Sequence, residues 1–84
     1  MLYRTALGMV LKDLRTEQSL TLREVSKQAY MSLGYLSEVE RGLKEITSGV
    51  MFCLCEALGV SVPDVLDRVS TLMNTRINAN LSTL

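Results

Sequence analysis

Leu20-Thr21-Leu22-Arg23-Glu24-Val25-Ser26, followed after a short gap by Met31-Ser32-Leu33-Gly34-Tyr35-Leu36-Ser37-Glu38-Val39-Glu40-Arg41-Gly42, decides the fold of this chain. Thr21-x-x-Glu24 is a capping box: the hydroxyl accepts from the backbone N–H of residue 24 and the carboxylate reaches back to residue 21. It predicts a short helix from 22 to about 29, with Leu22, Val25, Ser26 and Ala29 inward at helical spacing. Those inner side chains are mostly small, so a neighbouring helix can cross closely. Only Tyr30, Met31 and Ser32 precede a second helix from 33 to about 41. Ser32 is its N-cap, Leu36 and Val39 its inner stripe, and Gly42 its stop. Two short helices joined by so tight a turn fit a helix-turn-helix unit.

Upstream, Leu7, Val10, Leu11 and Leu14 mark a helix that ends near Gln18-Ser19. Downstream, residues 43–47 connect to a fourth helix capped by Thr47 or Ser48, with Met51, Leu54, Cys55 and Leu58 inward and Gly59 at its end. Pro63-Asp64 is a favourable first turn and predicts a last helix from 64 to about 82. Its apolar series of Val62, Val65, Leu66, Val69, Leu72, Met73, Ile77, Leu81 and Leu84 keeps spacings of three and four. The expected fold is all-α with five helices. Residues 1–68 form the helix-turn-helix domain, and 69–84 extend the last helix.

Composition narrows the function. Eighty-four residues, 48% hydrophobic and 21% charged, make one small folded domain. No run of about 18 apolar residues spans a membrane. Met1-Leu2-Tyr3-Arg4-Thr5-Ala6 lacks the pattern of a signal peptide, so the cytoplasm is expected. The chain has no histidine and no glycine-rich phosphate loop, so no nucleophile–base pair can be assembled and no enzyme is expected. No cofactor or metal is expected either. Cys53 and Cys55 point to nearly opposite sides of a helix, which disfavours a disulfide or shared metal site. They read as buried or half-buried free thiols, with redox sensing as the alternative. Nine basic residues balance nine acids, but residues 1–44 carry +2 and residues 45–84 carry −2.

With Leu36 and Val39 inward, Leu33, Gly34, Ser37 and Glu38 share the outer face of the second helix of the unit, with Arg41 further along. A helix entering the major groove presents this kind of N-terminal outer face, so these four are the candidate base-facing residues. Leu33 suits a thymine methyl, Glu38 a cytosine amine, and Ser37 is permissive. Glu38 could instead orient an arginine or disfavour wrong sequences. A glycine inside a helix costs about 1 kcal/mol against alanine. Gly34 therefore marks either close approach to DNA or tight packing against another helix. Thr21, Arg23, Ser32, Tyr35, Arg41 and Lys44 are the candidate phosphate contacts, the charged ones being ordinary solvated groups in the bland reading. Arg15 and Glu40 are better placed for structure, tying two helices by a two-pronged ion pair. Val69, Leu72, Met73, Ile77 and Leu81 would form an exposed apolar stripe, expected to join two copies in a homodimer. Folding back onto the first helix, or fraying beyond Asn74, are the alternatives.

Leu20–Ser26 and Met31–Gly42 together resemble the phage-repressor and Cro-type helix-turn-helix domains of the xenobiotic-response-element family, over roughly residues 7–67. The resemblance implies a repressor-like five-helix domain, operator binding, transcription regulation and frequent dimerisation. The family's arginine–glutamate core pair falls on Arg15 and Glu40. Ser32 to Gly42 followed by Lys44-Glu45 is also similar to the actinobacterial regulators of Clp protease genes, which implies an activator on a pseudo-palindromic operator. An activator has to touch RNA polymerase, and acids such as Glu17 or Glu24 could do so. Three positions depart from the family. Tyr30 stands where glycine is frequent, so φ > 0 is expected there at a cost. Leu22 replaces a polar residue, and Gly49 weakens the first turn of the fourth helix. The competing classes are a protein-interaction module on the same fold and a thiol sensor.

Overall fold

Four hydroxyl groups set where helices begin. Thr21, Ser32, Thr47 and Ser61 each accept, through the side-chain oxygen, from the backbone N–H three residues on, at 3.1 to 3.2 Å. The helices are α1 (Tyr3–Glu17), α2 (Leu22–Gln28), α3 (Leu33–Glu40), α4 (Ser48–Leu58) and α5 (Val62–Ser82). The computed structural model describes the backbone of residues 1–82 and the side chains of residues 1–75, and among these there is no strand. The Thr21 N–H donates to the Glu24 carboxylate at 3.1 Å, completing the capping box of α2. That bond, with a smaller contribution from the Thr21 hydroxyl, holds the Glu24 carboxyl below its ordinary range. Ser61 starts α5 at Val62, two residues before the expected start at 64.

The first four helices end alike. The N–H of Leu20, Met31, Leu43 and Val60 returns to the carbonyl of Arg15, Ser26, Glu38 and Cys55, at 2.9 to 3.1 Å. Each is a Schellman turn, with a left-handed residue just before the returning N–H. Those residues are Ser19, Tyr30, Gly42 and Gly59, with φ of 58°, 56°, 74° and 68°. A side chain in that conformation costs about 1–2 kcal/mol, so Ser19 and Tyr30 carry strain that the glycines avoid. Gly42 is needed for a second reason: a Cβ there would sit 2.9 Å from the Cα of Thr5. The turn after α3 thus nests against the start of α1.

The core is built where the helix stripes meet. Leu7, Leu11 and Leu14 of α1 pack with Leu36, Val39, Leu54, Leu58 and Val65. Burying each such side chain contributes about 1.5–3 kcal/mol. Gln18 ties α1 to α4 by donating to the Leu58 carbonyl at 2.8 Å. Two expectations are corrected. Val69, assigned to the dimerisation stripe, is only 3% exposed and belongs to the core of the chain itself, because α5 lies along α1. Cys53 is exposed rather than buried or half-buried. The inner stripe of α4 runs through Leu54 and Cys55, which turns Cys53 outward, while burial pushes the Cys55 thiol up. No single helix among the described residues is long and apolar enough to cross a membrane.

Candidate nucleic-acid interface

Leu36 and Val39, at 1% and 2% exposure, fix the rotation of α3 about its axis. Gly34 then faces open space, and a Cβ built there meets nothing within 4 Å. Tight packing against another helix is therefore not why glycine stands at this position. Leu33, Ser37 and Glu38 flank it, each half-buried at the edge of the same outward face. Gly34→Ala should stabilise the free protein by about 0.5–1 kcal/mol, through helix propensity alone, in a urea melt. A loss of stability would show that the position is crowded after all.

Glu38 carries its own cation. Lys44 Nζ lies 3.6 Å from a Glu38 carboxylate oxygen. The proximity follows from the Schellman turn, which brings the chain after Gly42 back over the last turn of α3. Arg4 holds that loop from α1, donating to the Gly42 carbonyl at 3.2 Å and to the Glu45 carboxylate at 3.4 Å.

The remaining candidates fall into two groups. The Thr21 and Ser32 hydroxyl oxygens accept in helix caps, so each hydroxyl still has a proton to donate outward. Arg23 and Arg41 are exposed and make no ion pair among the described residues. Tyr35 is half-buried and leans on the core, as does Leu22, which brings no polar group to the face. Glu17 is paired with Arg68 at 3.0 Å and Glu24 is engaged in its capping box, so both acids have partners within the chain.

Behind the face, Arg15 clamps α3 to α1. Its Nε and Nη2 donate to the two Glu40 carboxylate oxygens at 2.7 and 2.9 Å, and Nη1 donates to the Leu20 carbonyl at 2.9 Å. The two side chains are 13% and 8% exposed. The hydrogen bonds to Glu40 raise the Arg15 pKa, against the opposing effect of burial.

A second surface lies beside α5. Tyr3 and Leu66, 48% and 42% exposed, are shared by two adjoining hollows that form a mainly apolar trough with Ile46, Val62 and Met73, edged by Thr47, Ser48, Ser70 and Asn74. Leu72 and Met73 are half-buried against the core. The side chains of Ile77 and Leu81 lie outside the described residues. On the other flank of α5, Val10 and Leu72 together with Asp13, Asp67, Arg68 and Thr71 line a groove of mixed character. Sequence reading missed Tyr3, Arg4 and Gly8. The seven-residue spacing of Leu66 and Met73 was the available signal for the trough.

A family model for helix-turn-helix domains matches residues 11–65. Over 65 residues the chain is 49% identical to the transcriptional regulator ClgR of Mycobacterium tuberculosis, covering 77% of this chain and 58% of that protein. The chain therefore spans less than two thirds of that relative's length. The crystal structure of the clp gene regulator ClgR from Corynebacterium glutamicum superposes with a TM-score of 0.92 at 40% identity, over 99% of this chain and 88% of that one. A controller protein of a restriction-modification system, C.Esp1396I, solved as a tetramer on its natural 35 base-pair operator, matches with a TM-score of 0.79 over 84% of this chain and 93% of that one. At 18% identity it shares the fold alone.

Proposed function

The chain belongs to the helix-turn-helix family of Cro/C1-type regulators, and on that premise we propose that it is a transcription regulator that binds a specific site on double-stranded DNA. The observation that carries the reading is the uncovered face of α3. Gly34 has open space in front of it, with the unpaired cations Arg23 and Arg41 nearby in sequence at the ends of α2 and α3. Leu33, Gly34, Ser37 and Glu38 face base edges. Thr21, Arg23, Ser32, Tyr35 and Arg41 hold phosphates, which sets register without reading sequence.

Residues 1–68 serve as the DNA-binding unit and residues 69–84 as the dimerisation segment. The trough of Tyr3, Leu66 and Met73 receives a second copy; Leu72, Ile77 and Leu81 are the other positions assigned to dimerisation from the sequence. A two-fold dimer sets two copies of α3 about 34 Å apart on a pseudo-palindromic operator. Likeness to two ClgR proteins, one of them a clp gene regulator, supports regulation of clp genes; activation, with RNA polymerase as a further partner, is the direction we infer for it from the family resemblance.

Binding to promoter DNA across a salt series tests the reading. Specific, salt-steep binding is expected, and Arg41→Ala should weaken it evenly across sequences while lowering the salt slope by about 1. Absence of specific binding, at concentrations where the dimer is populated, would overturn the regulator. A protein-interaction module, which the zero net charge suits, would take its place. Leu66→Glu should convert a sedimenting dimer to a monomer that keeps the helical circular-dichroism spectrum and whose melt no longer depends on protein concentration. A wild-type monomer at the highest soluble concentration would remove the dimer.

A further inference from the structure

An acid on the groove-facing side of a DNA-reading helix approaches a polyanion, and that repulsion weakens binding unless something offsets it. Glu38 is in this position, and the fold supplies the offset. Lys44 Nζ stands 3.6 Å from its carboxylate. Lys44 is held there from two directions. The Leu43 N–H bonds to the Glu38 carbonyl at 2.9 Å, and Arg4 anchors Gly42 and Glu45 on either side of it. Arg4 thus pairs with Glu45, the residue after Lys44, while Lys44 pairs with Glu38.

We propose that Glu38 and Lys44 act as one specificity element, in which Glu38 accepts a hydrogen bond from a cytosine amine and Lys44 is the positioning residue that aims and neutralises the carboxylate. This rests on the DNA-binding reading above. An ionised carboxylate only accepts hydrogen bonds. In the major groove guanine shows two acceptors, thymine an acceptor and a methyl, and adenine an acceptor beside its amine. Cytosine alone offers a donor with no acceptor. Glu38 is matched by one base edge and repelled, wholly or in part, by three. Lys44, its charge engaged with Glu38, contributes to sequence choice rather than to a phosphate contact.

Selection from a pool of random duplexes with the wild-type protein identifies the preferred site, and each base pair is then varied. Wild type should prefer cytosine at one position of each half-site by about tenfold to a hundredfold. Glu38→Ala should erase that preference, and Glu38→Gln should move it towards adenine, whose edge pairs with an amide. Lys44→Ala should blunt the same position and weaken overall binding about tenfold. Removing Glu38 as well should restore affinity above that of Lys44→Ala alone. The salt slope should change by well under 1 for Lys44→Ala, against about 1 for Arg41→Ala. A slope change of about 1 with base preference intact would make Lys44 a phosphate contact and overturn the proposal. So would Glu38 variants that leave every preference unmoved at a selected site. If wild type selects no site at all, the DNA-binding reading fails and this one with it.

Discussion

Arg15→Ala is expected to lose about 3–5 kcal/mol of folding stability, the cost of breaking a buried ion pair by removing one partner. Domains of this size have about 4–13 kcal/mol in total, so the variant should be largely or wholly unfolded at physiological temperature. The loss comes from what is left behind. Glu40, 8% exposed, is left without its two donors at 2.7 and 2.9 Å, and the Leu20 carbonyl loses its donor at 2.9 Å. Arg15 stays cationic at every working pH, because its pKa in the fold is raised above an already high ordinary value. Deprotonation of Arg15 therefore breaks the pair only in strong alkali. Arg15→Lys should fall between, since an ammonium cannot fork across a carboxylate. Replacing both partners with leucine or methionine should recover much of the loss. Urea denaturation measures all four proteins. A loss under about 1 kcal/mol for Arg15→Ala would show that the pair does not hold α3 to α1.

The smallest substitution with a large effect is Gly8→Ala. A Cβ at residue 8 would lie 2.5 Å from the Val39 carbonyl oxygen, 2.6 Å from that of Glu40 and 2.9 Å from the Glu40 carbonyl carbon. All three atoms are backbone, so no side chain can swing away and α1 and α3 must separate. Overpacking of this kind costs about 3 kcal/mol. Arg15 lies two helical turns further along α1, and Glu40 is both the residue Gly8 touches and the one Arg15 grips. Separation at Gly8 lengthens the ion pair, so Gly8→Ala and Arg15→Ala should combine less than additively. Full additivity in the double variant, or a melt for Gly8→Ala within about 0.5 kcal/mol of wild type, would show that the crossing has room to relax. Gly34→Ala is the internal contrast. The same substitution, made where nothing lies within 4 Å, should raise stability.

Gly8 and Gly34 also show how much of this protein is legible in its sequence. Gly34 falls on a face whose orientation follows from Leu36 and Val39, three residues apart, and its place opposite the core was readable from helical periodicity alone. Gly8 touches residues more than thirty positions away, and nothing in its neighbours signals the contact. Glu38 divides the same way. Its outward position was readable, whereas its partner Lys44 follows from a turn that Gly42 makes and Arg4 holds from another helix. The turn at Tyr30 was legible only through family resemblance, and its φ of 56° agrees with that expectation.

The five helices, and the starts of α2, α3 and α4, were therefore legible in sequence, since a capping hydroxyl and the N–H it accepts from lie three residues apart. A helix stripe likewise depends only on spacing within one element. The tertiary structure alone decided that Val69 is core, that Cys53 is exposed, that Tyr3 and Leu66 open a trough, and that Gly8 is a crossing point. Each of these depends on how far and at what rotation two helices pack. Those quantities are set by the summed contacts of residues distant in the chain, and no local pattern encodes them.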